Sequence, residues 1–411
     1  MTIDAKKKKS RPIKFIQKKD GTLQECRENV FVYLTQHPDW EGVLGFNEFS
    51  RRIMKLKPPP FESTPGEWAT EDDYKLGMWL AHDRGLVIKS DAMLVSAVAM
   101  AAYTNKFHSV VDWLESLPPW DGTDRLEYFL ADCTGCRQSD YSMLVGLYFM
   151  IGMIARVYQP GCPMQYVMIL EGEQGIGKST FWRILAGEWF QDTPLNLDNK
   201  DAYLQLEGIW LYEIAELDSI NRSGTSTVKA FITQNNDRFR EPYGRRVVDW
   251  PRQVVFVGTT NHYEYFKDST GNRRFWPIKA LSINRTLLAG MREQLFAEAL
   301  HRYRKGEPWH PTQEQENTYF IPQQDHRRID DPWLNALPEW LNNVDRRLIN
   351  EFTALEILHD CFKVQIDKVD NYNQQAMRIA RLMQELGWQK KRQASGDRKR
   401  VYVRPRSQRM S

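Results

Sequence analysis

The chain has 411 residues, 42% of them hydrophobic and 27% charged, with 14 Trp; this excludes a disordered or fibrous polypeptide and leaves room for two or three domains that each bury a core. The formal net charge of +3 is unevenly spread, since residues 1–19 hold eight Lys/Arg against Asp4 alone and residues 388–411 hold nine against Asp397 alone, leaving an acidic middle. Five scattered cysteines (Cys26, Cys133, Cys136, Cys162, Cys361) and the lack of a signal-peptide pattern argue against a disulfide scaffold and fit a reducing cytoplasm.

Basic ends on an acidic body suit contact with a polyanion such as DNA, although a Lys-rich start is equally the composition of a solubilising tail. Residues 1–20 therefore read as a basic flexible tail. Residues 21–135 alternate short amphipathic stretches with breakers at His37-Pro38-Asp39, Pro58-Pro59-Pro60 and Pro118-Pro119. Apolar spacing predicts helices over 71–81 and 91–102 and a short strand over 85–88, so this part is expected to be a small, mainly helical domain. Cys133-Thr-Gly-Cys136 has the spacing of half a zinc site, but a second pair of matching spacing is missing. The longest apolar run, 143–154, is too short to span a bilayer and reads as a buried helix, with no membrane partner expected.

From 136 to 305 the pattern changes to buried strands separated by helices, the signature of an α/β fold. Strands are predicted over 166–170, 209–214, 254–258 and 275–278, with helices after Lys178, over 225–233 and over 284–303. Prolines at 308, 311, 322, 332 and 338 make 306–338 read as a linker or irregular arm. Helices over 353–361 and 374–386 are followed by two basic strands, at 388–392 and 401–404, that turn at Ser395-Gly396-Asp397. Two helices and a basic hairpin give residues 339–411 the layout of a winged helix with a basic tail.

The chemistry is concentrated between the predicted strands. Gly172-Glu173-Gln174-Gly175-Ile176-Gly177-Lys178-Ser179-Thr180 follows a buried strand and opens a helix. A phosphate needs that order: glycines let backbone N–H groups close around it, Lys178 reaches the terminal phosphates and the Ser179 hydroxyl holds Mg²⁺. The expected ligands are thus ATP and Mg²⁺. A carboxylate at a neighbouring strand end must then organise the metal and polarise water. Glu213-Ile-Ala-Glu216-Leu-Asp218 offers three acids, with Glu216 the first choice for catalysis and metal, Glu213 second and Asp218 third. A solvated strand end or a subunit contact is the other reading for the remainder. Asn261, ending the strand Val254-Val-Phe-Val-Gly-Thr-Thr260, suits a sensor that orients the attacking water. Arg273 and Arg274 offer guanidinium groups for the transferring phosphoryl, and in trans they would require an oligomer. A GTPase reading fails because Asn199-Lys200-Asp201-Ala202 lacks the final acid of a guanine-reading motif.

This series resembles the virulence-associated E family of phages and mobile elements, whose ATPase core is similar to superfamily 3 helicases. The resemblance rests on Gly45-Phe-Asn-Glu-Phe49, Lys57-Pro-Pro-Pro60, Trp120-Asp-Gly-Thr-Asp-Arg-Leu126, the phosphate loop, Glu213 to Asp218, Phe239-Arg-Glu-Pro-Tyr-Gly-Arg245 and Gly271-Asn-Arg-Arg-Phe-Trp276. It implies a P-loop NTPase core whose parallel sheet has the additional-strand, AAA-like order. It also implies a hairpin over about 238–250 whose Arg245 and Arg246 contact single-stranded DNA in the channel of a homo-oligomeric, hexameric ring. A solvated hairpin is the bland alternative, and duplex DNA would be met by the winged helix. The implied activity is that of an ATP-dependent helicase or translocase in replication of a mobile element. The alternative is a nucleotide-switched DNA-binding or phage-interference ATPase without unwinding. Primase activity is not expected, since the region before residue 150 shows no paired-carboxylate strand.

Overall fold

The computed structural model describes residues 14–194, 202–215, 225–240, 247–263, 266, 272–327, 332–343, 346, 349–364, 372–392 and 399–405. The chain divides into two compact units, residues 1–327 and 328–411.

The first unit opens with a module of helices and a small sheet. Helices α1 (Arg27–Gln36), α2 (Thr70–Arg84), α3 (Asp91–Ala102) and α4 (Ser109–Ser116) accompany strands β1 (Leu44–Asn47), β2 (Arg52–Lys55), β3 (Gly66–Glu67) and β4 (Lys106–Phe107). The sheet order is β3-β2-β1-β4, with β4 parallel to β1 and the other pairs antiparallel. Val30, Trp40, Leu44, Leu76, Leu80, Leu94 and Ala97 form its core. The module is mainly helical, as the sequence suggests, but it also holds this small sheet, whose strands of two to four residues are too short for an alternating pattern to register. The strand expected over 85–88 is absent. Gly85 instead adopts φ +63° and caps α2, its N–H donating to the Leu80 carbonyl, and Leu86 is buried as the chain leaves the helix.

After α5 (Phe129–Thr134), helix α6 (Asp140–Tyr158) leads to a second sheet. Its strands are β5 (Val167–Glu171), β6 (Phe190–Gln191), β7 (Leu211–Ala215), β10 (Val255–Thr260) and β11 (Phe275–Lys279), all parallel in the order β11-β5-β10-β7-β6. Helices α7 (Lys178–Ala186), α8 (Thr225–Thr233) and α9 (Arg285–Arg304) complete the layers. Alternation along β5 explains how both faces are covered: Met168 and Leu170 join Phe149, Ile154, Phe181, Trp182 and Phe296, while Val167 and Ile169 join Val228, Phe231 and Ile232 of α8. Helix α6 runs 19 residues and by length and composition could cross a membrane, but 78% of its apolar window is buried against the sheet and α9. A separate hairpin pairs β8 (Asn236–Arg240) with β9 (Val247–Pro251).

The expected irregular arm over 306–338 is largely helical. Residues 313–325 (α10) carry a π-helical turn at Glu316–Phe320 and belong to the first unit, where Phe320 joins the core and the Gln324 side chain donates to the Phe275 carbonyl at 3.1 Å. Pro332–Leu341 (α11) belongs to the second unit. That unit continues with β12 (Glu351–Thr353), a helical run over 354–361 (α12), α13 (Tyr372–Glu385), β13 (Gln389–Arg392) and β14 (Arg400–Val403). The antiparallel sheet is ordered β12-β14-β13, and Leu337, Phe352, Ile357, Ile379, Leu382, Trp388 and Tyr402 form the core. The turn expected at residues 395–397 lies outside the described residues.

Candidate functional site

The loop between β5 and α7 is shaped by contacts only glycine allows. A Cβ on Gly172 would meet the Ala280 carbonyl oxygen at 2.4 Å, and Gly175 and Gly177 adopt φ of +85° and +101°. The chain therefore turns sharply enough for Lys178 to begin the helix, with Glu173, Gln174 and Gly175 exposed at the tip. A helix N-terminus reached through such a loop presents unpaired N–H groups and the positive end of the helix dipole.

Lys178 is only 8% exposed, yet among the described residues no carboxylate bonds it. Its Nζ donates to the Gly172 carbonyl, the Glu173 carbonyl and Asn261 Oδ1, each at 2.8 Å. Three neutral acceptors use all three ammonium protons without neutralising the charge. Burial pulls the ammonium pKa below its usual value, and Glu213 acts against that shift. Asn261 arrives from β10, which lies beside β5 and ends level with it, Thr260 opposite Glu171.

Glu213 comes from β7, on the far side of β10, and is 1% exposed. Its Oε1 accepts hydrogen bonds from Ser179 Oγ at 2.7 Å and Thr259 Oγ1 at 2.6 Å. Its Oε2 is buried and has no hydrogen-bond partner among the described residues. Burial pushes the carboxyl pKa up, opposed by the Thr259 and Ser179 hydroxyls. A buried carboxylate with one unsatisfied oxygen beside a serine hydroxyl is a donor set suited to a hard divalent cation. Among the described residues no group of three or more His, Cys, Asp or Glu could hold a metal, so Cys133 and Cys136 are not joined by further ligands of that kind; Cys133 is buried with Sγ 3.9 Å from Met291 Sδ.

Lys178, Ser179, Glu213 and Asn261 thus converge, but Arg273 and Arg274 do not join them. They precede β11, whose Phe275 lies opposite Val167 at the start of β5, while the phosphate loop leaves from the other end, opposite Lys279. Five strand residues at about 3.3 Å each put roughly 16 Å between Arg274 and the loop, beyond one side chain's reach. Arg274 Nε instead donates to Thr233 Oγ1 at 2.9 Å, and Arg273 is exposed. Glu216, Asp218, Arg245, Arg246 and Gly271 lie outside the described residues.

Sequence reasoning missed Thr259, whose bond to Glu213 joins neighbouring strands distant in sequence. It also missed Glu171, fully buried at the end of β5 and paired through both oxygens with Arg327, with Nη2 to Oε2 at 2.8 Å. Nothing in local spacing announces either contact.

Among solved structures, the chain is similar to "The apo structure of NrS-1 C terminal region (305-718)", at 14% identity, 88% of this chain, 96% of that chain and a TM-score of 0.44. It is also similar to "The A form apo structure of NrS-1 C terminal region-CTR(305-718)", at 13% identity, the same coverage and a TM-score of 0.43. No curated protein matches. The model of the virulence-associated protein E-like domain matches residues 114–328, which hold both the phosphate loop and the strands that converge on it. The match spans more than half of the sequence, and the chain belongs to the virulence-associated protein E-like family.

Proposed function

We propose that the chain is a Mg²⁺-dependent ATPase that works on DNA as an oligomeric motor in replication of a phage or mobile element. The observation that carries the reading is the joining of Lys178 to Asn261 and of Ser179 to Glu213 at one glycine-built loop. The strand order, with β10 between the loop strand and the Glu213 strand, supports a P-loop core of the additional-strand type.

With ATP bound, Lys178 would exchange carbonyl partners for phosphate oxygens, and Asn261, linked to it, would be placed to orient the attacking water. Ser179 Oγ and Glu213 would hold Mg²⁺, which supplies charge neutralisation on the β- and γ-oxygens. Glu216, past the end of β7, is the proposed base for the attacking water. Arg273 and Arg274, remote from their own loop, would serve a neighbouring copy, which requires an oligomer; the hexameric ring is what the family resemblance implies. The β8–β9 hairpin, with Arg245 and Arg246 in its connection, would track single-stranded DNA by charge. In the second unit the order helix, strand, helix, helix, hairpin supports a winged helix that would meet duplex DNA.

The test is ATP turnover with and without single-stranded DNA, together with strand displacement on a forked duplex. DNA-stimulated turnover with displacement, both lost in Lys178→Ala, is the expected result. Turnover indifferent to DNA would sink the motor reading. Stimulated turnover without displacement would favour a nucleotide-switched DNA-binding protein, a reading for which the basic strand β13, Gln389–Arg392, is the motivating feature.

A further inference from the structure

Between β11 and α9 the chain runs as a strap along the phosphate loop, and it is tied down at both ends. At its start the Ala280 N–H donates to the Glu171 carbonyl at 2.7 Å. Further on, the N–H groups of Leu281 and Ser282 donate to the Thr134 carbonyl at 2.9 and 3.1 Å, and that of Asn284 to the Cys133 carbonyl at 2.8 Å. The Asn284 side chain then caps α9 by accepting from the Leu287 N–H at 3.1 Å. Arg285, the first residue of α9, is held against the loop in consequence. A Cβ on Gly177 would fall 2.9 Å from Arg285 Nη2 and 3.2 Å from its Nε. The guanidinium therefore packs on the residue just before Lys178. Arg285 is exposed and makes no hydrogen bond or ion pair among the described residues. A planar cation with unused donors beside an anion-binding loop is placed to take phosphate oxygens bidentately.

The strand order gives the direction. Asn261 and Glu213, which would face the terminal phosphate, come from β10 and β7 on one side of β5, while the strap and Arg285 follow β11 on the other. We propose that Arg285 binds the α- and β-phosphate portion of the nucleotide within its own subunit, on the flank opposite the hydrolytic groups. This rests on the ATP-site reading above. The experiment is titration of the full chain with Mg-ADP and Mg-ATP for the wild type, Arg285→Ala and Arg285→Lys. The alanine variant is expected to lose about tenfold or more in affinity for both nucleotides alike, and the lysine variant, which keeps the charge but not the fork, to lose less. Unchanged affinity for ADP overturns the proposal, whether or not ATP binding falls, because the contact would then be absent or directed at the γ-phosphate. A wild type that binds neither nucleotide overturns the ATP-site reading and this proposal together, whereas normal wild-type binding with an unaffected alanine variant removes this proposal alone.

Discussion

Lys178 shows how one side chain can be buried, charged and ready to move. Its acceptors are two loop carbonyls and the Asn261 amide, and a phosphate dianion would outcompete the neutral carbonyls for its protons. Asn261→Ala deletes one acceptor and the group proposed to orient water. ATP affinity should stay within a few-fold, while turnover falls by roughly two to three orders of magnitude, the usual cost of losing one preorganised polar group; equilibrium binding and steady-state hydrolysis check the split. The sharp turn through Gly175 and Gly177 and the helix that starts at Lys178 are legible because glycines at positive φ before a helix are a local pattern. Thr259 is not, because its value depends on β10 lying beside β7, a pairing across residues 211–260 that no local pattern encodes. Glu213, ranked below Glu216 from sequence, gains a defined position from its bonds to Ser179 and Thr259.

At the scale of elements, the base of the β8–β9 hairpin is tied to α8 by buried arginines. Arg252 contacts Asp237 of β8 through Nε, at 3.1 Å to both oxygens, and through Nη2, which also reaches Gln234 Oε1 at 3.1 Å; Nη1 donates to the Phe231 carbonyl. Arg156 of α6 donates to the carbonyls of Val254 and Gln234, both at 3.3 Å, and burial pushes its pKa down to about 10. Gln234 directly follows Thr233, the acceptor for Arg274, so the hairpin base and the candidate finger share one polar framework. Arg252→Met leaves Asp237 buried without its cation and should cost about 3–5 kcal/mol, read as a lowered denaturant midpoint. Strands β5, β7, β10 and β11 were legible as continuous apolar runs because helices cover both sheet faces. The two-residue strands β3, β4 and β6 were not. Prolines obscure the helices of 306–338: Pro332 opens α11, where a missing N–H costs nothing, while Pro322 directly follows the π-helical turn within α10 and Pro338 lies inside α11.

For the molecule as a whole, the central question is whether the proposed ATP site is completed by a second copy. The groups around the phosphate loop come from one chain, yet Arg273 and Arg274 lie at the opposite end of the parallel sheet. Steady-state ATP hydrolysis by the wild type, Lys178→Ala, Arg274→Ala and an equal mixture of the two variants tests this most directly. Each variant alone should be near background. The mixture should recover part of the wild-type rate, because an intact loop from the Arg274→Ala chain can meet an intact Arg274 from its neighbour. A wild type without ATP hydrolysis, or a mixture no more active than its separate components, would contradict the account.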